Sequence, residues 1–418
     1  GPCALRDRRS SSFTSYSLRI GLTIRYRKAG RGISSERIRL LSVTEIQRPP
    51  SSPKAMNSPD EPFQFQRTGH VSRNRAVLAA MTNKQSASDG TLSEDEINWL
   101  LMRAEGGFGI VTTAATHVTE GGQGWTGEMG VWGDHHIPGL TRLANGIRER
   151  GAISLAQIFH GGMFAPESIT GTQPVSASEN PLSKDSDETS RELSYDEIEA
   201  IVSAFGDAAS RCAKAGFDGI ELHGAHGYLI CQFLGEKTNR REDVWGGGIF
   251  ERARFLMRII QDVRNKVPED FILGVRISPE HRKVGVRLED SLELAEMLSE
   301  AGVDFLHISC WDCSAGSLEF PEDKRTLTQW FSDRLGKSVP IISAGGIWST
   351  ADAESVMGHG ADMIAVARAA IGHADWASQI SEENYSPDKP PFSREHLLEQ
   401  GLSETFVDYM RRWDGFVS

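Results

Sequence analysis

The sequence predicts an α/β fold, a (β/α)8 TIM barrel with a C-terminal helical extension, on three observations. Strand and helix signals alternate from residue 76 to about 376, the strand segments are short apolar runs without an alternating polar face, and eight such segments occur. Apolar strands that are each followed by a helix imply a parallel sheet covered by helices. Eight units in about 300 residues favour closure into a barrel over an open doubly wound sheet, which is the alternative.

The strand segments, in chain order, are NRAVLAAMT (74–82), GGFGIVTTA (106–114), AISLAQIF (152–159), AGFDGIELH (215–223), FILGVRIS (271–278), AGVDFLHIS (301–309), VPIISAGG (339–346) and HGADMIAVAR (359–368). In four of them a Gly-containing turn leads straight into the strand. Between them, Ser93 with Glu96 and Ser194 with Glu197 have the spacing of a capping box. After the second cap, Ile198, Ile201, Val202, Phe205, Ala208, Ala209 and Cys212 form the apolar stripe of a helix. The helix after Ser93 is expected to stop at Gly106-Gly107. Beyond the barrel, SPDKPPF (386–392) reads as a loop, and a helix is expected around 394–412. The expected division is therefore an extension over 1–55, a barrel over 56–385 and a C-terminal extension over 386–418.

Charge is uneven along the 418 residues. Net charge is −12, yet residues 1–55 hold twelve Lys/Arg against Asp7, Glu36 and Glu45, a balance of +9 that leaves −21 for the rest. An acidic body argues against binding a phosphate backbone and for a small-molecule partner. No apolar run reaches the length of about 18 residues that crosses a bilayer. The five cysteines are too few and scattered for a disulfide scaffold, which fits a reducing compartment. The Arg- and Ser-rich N-terminal zone resembles an organelle transit peptide. The alternative, favoured because Met56 is the first methionine and the chain opens on Gly1, is that Met56 is the true start. The expected location is cytoplasmic, or organellar if the zone is a genuine transit peptide.

Catalytic groups of such barrels sit where strands end. The fourth strand runs into His223-Gly-Ala-His226-Gly-Tyr228. Two imidazoles can hydrogen-bond and polarise one carbonyl or nitro oxygen, and a neighbouring phenol can donate a proton. The pair could instead be a metal site, with His160 as a further ligand, or two satisfied core histidines. No third ligand is forced into place, so no metal is expected. Gly345 and Gly346 after the seventh strand, with Ala367 and Arg368 after the eighth, form a phosphate site: glycines admit backbone N–H groups, a helix opens there, and Arg368 adds charge. That arrangement by itself says only phosphate, and it also suits a phosphate-binding isomerase or lyase. Cys310-Trp-Asp-Cys313 is a C-x-x-C pair, but it lacks thioredoxin-like context and a functional disulfide is not expected.

The run that follows the histidines, QFLGEKTNRREDVWGGGIFERARFL (232–256), completes a long pattern from Ala215 to Phe255. It resembles the old yellow enzyme family of FMN-dependent NAD(P)H oxidoreductases, in its single-domain form, and the likeness extends over most of residues 60–380. The resemblance implies FMN as cofactor and NADH or NADPH as co-substrate. It implies that Ala80, Met81 and Thr82 pack against the flavin ring, with the Thr82 hydroxyl on its O4 edge, and that Ala114 is the small residue beneath it. It further implies Gln157 on the pyrimidine ring and Arg276 at the N1/O2 side, where a cation stabilises anionic reduced flavin. His223 and His226 would hold an electrophilic alkene such as an α,β-unsaturated carbonyl, and Tyr228 would protonate it. Homo-oligomers are compatible with the resemblance. The chain departs from the family pattern at Met163 in His160-Gly-Gly-Met163, at Gly235-Glu236 and at Gly248, all away from the proton donor and the phosphate site.

Overall fold

The computed structural model describes residues 58–184 and 187–418, so the expectations for residues 1–55 lie outside the described residues. The eight expected strands are present: β1 (Ala76–Leu78), β2 (Ile110–Thr112), β3 (Ile153–Phe159), β4 (Gly219–Gly224), β5 (Ile272–Ile277), β6 (Phe305–Ser309), β7 (Ile341–Ala344) and β8 (Met363–Val366). Each pairs in parallel with the next, and β8 pairs with β1. The sheet therefore closes, and the open doubly wound alternative is excluded. Seven helices follow strands one to seven: α1 (Glu94–Glu105), α2 (Ile137–Glu149), α3 (Tyr195–Ala215), α4 (Arg254–Lys266), α5 (Leu288–Glu300), α6 (Leu327–Leu335) and α7 (Thr350–Gly358). Directly after β8 comes the five-residue α8 (Arg368–Gly372), followed by a one-turn helix over Trp376–Gln379.

Local chemistry sets the helix ends. Ser194 and Glu197 make the full reciprocal capping box at the start of α3. Ser93 accepts the Glu96 N–H as expected, but the box is not reciprocated. The Glu96 carboxylate turns inward instead, accepting from Asn83 Nδ2 at 3.0 Å and from the Ser86 hydroxyl. A buried carboxylate needs such donors more than the exposed cap does.

Alternation along the strands divides the core. Inward-facing Val77, Ile110, Ile153, Ile272, Phe305, Ile342 and Met363 fill the barrel, and outward residues pack under the helices. Gly274 makes room for the Phe305 ring, which an added Cβ would meet at 1.9 Å. The bottom is plugged by Phe65, held next to an antiparallel hairpin that pairs Phe63–Gln64 with Val71–Ser72.

The C-terminal extension differs from the single helix expected. Two helices form, α9 (Arg394–Glu399) and α10 (Glu404–Met410). Gly401, at φ +86°, turns the chain after α9, and Ser403 caps α10 by accepting the Phe406 N–H. The break lets the extension fold back onto α1. Phe406 packs edge-on to Trp99 at 5.3 Å, and buried Arg103 donates to the carbonyls of Gln400 and Ala370 while lying 4.4 Å over Trp99. Among the described residues no helix is long and apolar enough to cross a membrane.

Three buried histidines around the β2–β3 region predict acid lability. Burial lowers His117 to about 3, and His136 and His160 to about 4. His117 Nδ1 lies 2.8 Å from Glu128 Oε1, whose carboxyl is itself raised by burial, so the pair is neutral. In the unfolded chain each imidazole takes a proton below its ordinary 6.5, whereas in the fold it does not. Stability is therefore present above 6.5 and is lost as pH falls. At pH 5 the loss is up to about 2 kcal/mol per histidine, offset in part by Glu128, whose raised carboxyl favours the fold as pH falls, and Tm is expected to be lower than at pH 7. A Tm that is flat over this range in scanning calorimetry would refute the assignment.

Candidate active site

All eight strand ends contribute to one face of the barrel, and the period-two alternation stacks their side chains in layers. Register places His223 opposite Arg276, Arg276 opposite His307, and Glu221 opposite Gln157. Above the apolar layer of Ile272 and Phe305 lies a polar one made by Glu221, His307 and Gln157. Above that lie His223, Arg276 and Ser309.

The polar layer is fully buried and tightly bonded. Gln157 Nε2 donates to Glu221 Oε1 at 2.7 Å, and His307 Nδ1 lies 2.7 Å from Glu221 Oε2. Burial alone would raise the Glu221 carboxyl, but His307, Arg276 and the Gln157 amide outweigh it and hold it below its ordinary value. Burial keeps His307 neutral, so its Nδ1–H donates to the Glu221 carboxylate. Glu221 thus fixes the orientation of Gln157, turning its amide NH2 inward.

The upper layer carries the candidate catalytic groups. The rings of His223 and His226 lie 4.9 Å apart, and those of His223 and Tyr228 5.0 Å apart. Burial, then the neighbouring imidazole and Arg276, pushes His223 well down; burial and Arg276 do the same to His226. Both rings are neutral. His223 Nδ1 accepts the Ala225 N–H at 3.4 Å, which leaves its proton on Nε2. His226 Nε2 lies 2.7 Å from Ser309 Oγ, which accepts from Arg276 Nη2 at 3.0 Å. The Ser309 hydroxyl proton is then available to His226 Nε2, placing the imidazole proton on Nδ1. His226 adopts φ +62°, an uncommon conformation for a residue with a Cβ, and its N–H is anchored to Ser278 Oγ at 3.0 Å. Tyr228 sits among Phe159, Phe164 and Trp125, and burial raises its phenol above the ordinary value.

Two adjoining cavities open on this face. One, of about 690 Å³, is lined by Ala80, Met81, Thr82, His226, Arg276, Gly345, Gly346, Ala367 and Arg368. The other, of about 400 Å³, is lined by Tyr228, Trp125 and Phe164, and shares Thr82, His226 and Tyr409 with the first. The structure therefore brings most sequence-predicted residues around one continuous space. His223 lines neither cavity and is buried against His226 and Tyr228, Gln157 lies in the polar layer, and Ala114 lies just past β2, where the adjacent Thr113 hydroxyl accepts the Gln157 N–H at 3.1 Å.

Several residues that line or support this space were not expected from sequence. Glu221 and His307 alternate in phase with His223 and Ser309 along their strands, a signal that could have found them. Tyr409, from α10, had no local signal at all.

The larger cavity fits FMN by its own chemistry. Buried Arg276 has no carboxylate within ion-pair distance among the described residues, and its Nε lacks a partner. Such a charge calls for a polar ligand. Gly345 and Gly346 have φ of +139° and +70°, and a Cβ on Gly345 would come within 2.4 Å of the Cys310 carbonyl. Because α8 is only five residues long, its dipole adds little, and the positive character of this end of the cavity comes from Arg368 and the glycine amides. Among the described residues no group of three or more His, Cys, Asp or Glu is placed to hold a metal ion. Cys310 and Cys313 are buried free thiols.

The comparisons with known proteins agree with this geometry. The profile of the NADH:flavin oxidoreductase / NADH oxidase family matches residues 61–386. The chain is 36% identical over 327 residues to the probable NADH-dependent flavin oxidoreductase YqiG of Bacillus subtilis, covering 77% of this chain and 87% of that protein. It is 34% identical to the NADH:acrylate oxidoreductase of Vibrio harveyi over 78% of this chain, but spans only 33% of that protein. The fold superposes on the old yellow enzyme homologue from Zymomonas mobilis with a TM-score of 0.71 at 25% identity, covering 84% of this chain and 99% of that one. On this profile match and this identity, and in keeping with its closed barrel and paired histidines, the chain belongs to the NADH:flavin oxidoreductase / NADH oxidase family of FMN-dependent enzymes.

Proposed function

We propose that this oxidoreductase reduces activated carbon–carbon double bonds, such as those of α,β-unsaturated carbonyls, with Tyr228 as proton donor. The observation that carries the reading is the packing of two neutral imidazoles and a protonated phenol, with His226 lining both cavities, Tyr228 lining the smaller, and buried His223 in ring contact with each of them. FMN bound in the larger cavity supplies the hydride, drawn from NADH or NADPH. Ala80, Met81, Thr82, Ala114, Gln157 and Arg276 are proposed to hold its ring, and Gly345, Gly346, Ala367 and Arg368 its phosphate.

His223 and His226 present N–H groups to the oxygen of the activating group. Neutral donors in a dry site stabilise the negative charge that develops there as the β-carbon accepts hydride. Burial, reinforced by Arg276, which is linked to His226 through Ser309, disfavours protonation of both imidazoles. The Tyr228 O–H then delivers a proton to the α-carbon, and Trp125 and Phe164 exclude water around it. We further read residues 56–385 as the barrel proper and 386–418 as an extension that adds Tyr409 to its mouth.

The flavin-free isomerase or lyase reading is displaced by family membership. The direct check on the proposal is colour followed by turnover. Purified protein is expected to be yellow, to release FMN on denaturation, and to pass electrons from NAD(P)H to an enone. Colourless protein that cannot be reconstituted with FMN would sink it.

A further inference from the structure

The mouth of the smaller cavity carries charge of one sign. Besides Tyr228, Trp125, Phe164 and Tyr409 it is lined by Lys84 and Arg412, and by no carboxylate. This is an unusual patch on a body whose charge is strongly acidic. Both cations approach the same ring: Lys84 Nζ and Arg412 Cζ each lie 5.3 Å from the Tyr409 centroid, and Arg412 also lies 4.9 Å from that of Trp413. Neither enters an ion pair among the described residues. The acid on the adjoining rim, Asp408, lies 3.5 Å from Arg411 instead.

The fold aims the lysine. Lys84 has φ +58°, rare for a residue with a side chain, and such strain persists only where surrounding contacts impose it. Here the next turn is tied down by the Ser86 N–H donating to the Gly127 carbonyl at 3.1 Å. Gly127 packs so closely that a Cβ there would come within 2.3 Å of the Lys84 carbonyl. Two like charges gathered at one aromatic ring without a counter-charge repel each other, and a bound anion relieves that repulsion.

We infer that this site selects electrophilic alkenes that carry a carboxylate remote from the activating carbonyl, with Lys84 and Arg412 as the specificity-determining residues that receive it. The inference rests on the ene-reductase reading above. The aromatic walls suit the flat conjugated part of such a molecule, His223 and His226 take its carbonyl, and the two cations take its far end. The same cations could meet a phosphate of the nicotinamide dinucleotide, so the test separates the two half-reactions.

The probes are 4-oxopent-2-enoate and its methyl ester, which share one enone and differ by one charge. Because the ester is intrinsically the stronger electrophile, the quantity read is the change in the acid-to-ester ratio of kcat/KM. The double variant Lys84→Met/Arg412→Met is expected to lower that ratio by about tenfold or more relative to wild type, the scale of a lost charge-assisted contact. Lys84→Arg should retain most of the ratio, and added salt should lower it in the wild type. A ratio unchanged in the double variant and insensitive to salt overturns the inference. So does an effect confined to flavin reduction by NAD(P)H, which would assign the cations to the dinucleotide. If NAD(P)H reduces the flavin but neither acid nor ester reoxidises it, the ene-reductase reading fails, and this inference with it.

Discussion

Replacing Tyr228 with Phe is expected to slow reoxidation of the reduced flavin by an enone by about 10²–10⁴-fold, the usual contribution of a positioned acid, with flavin reduction by NAD(P)H changed less than about twofold. The asymmetry follows from position. Tyr228 lines the smaller cavity and stands apart from the residues around the larger one. Its ring is held on three sides by Phe159, Phe164 and Trp125, so removing one hydroxyl leaves the packing intact. The raised phenol also sets the pH dependence. Because Tyr228 stays protonated beyond its ordinary value of 10.0, the alkene half-reaction should show no alkaline decline below that pH. Stopped-flow measurement of the two half-reactions decides the matter, and equal rates for wild type and variant in both would remove Tyr228 as the donor.

The second large effect belongs to the histidines. His226→Ala is expected to lower kcat/KM for an enone by about 10²–10³-fold, the cost of losing one donor to a developing oxyanion. His226→Asn should recover part of this, because asparagine keeps an N–H donor and tolerates the left-handed φ of +62° that alanine does not. Since burial and Arg276 keep the ring neutral well below 6.5, the wild-type rate should hold steady as pH falls from 8 to about 6. A steep acid limb near 6.5, or an alanine variant as active as the asparagine one, would contradict the neutral-donor role.

Much of the fold was legible because its signals are local. Glycine turns, apolar strand runs and the Ser194–Glu197 capping box act over a few residues, and the barrel closed on all eight strands that these marked. The C-terminal extension was misread as one helix, although Gly401 and Ser403 carry the stop and start signals that divide it. The strands were read as apolar runs without an alternating polar face. In fact Glu221, His307 and Ser309 interrupt them on the inward face near the catalytic end, in phase with His223 and Arg276. A period-two count anchored on His223 would have exposed that polar layer.

By itself, the sequence determined the order of strands and helices, the strand ends where His223, His226, Tyr228 and Arg276 stand, and the glycine pair suited to a phosphate. These depend on propensity, periodicity and spacing within single segments. Only the tertiary structure decided that Glu221 orients Gln157, that Ser309 joins Arg276 to His226, and that Lys84, Tyr409 and Arg412 meet at the mouth beside Tyr228. Those contacts join groups far apart in the chain. They exist because closure of the barrel brings β4, β5 and β6 side by side and because Phe406 and Gln400 dock the extension onto Trp99 and Arg103 of α1. No pattern within one segment encodes such a meeting.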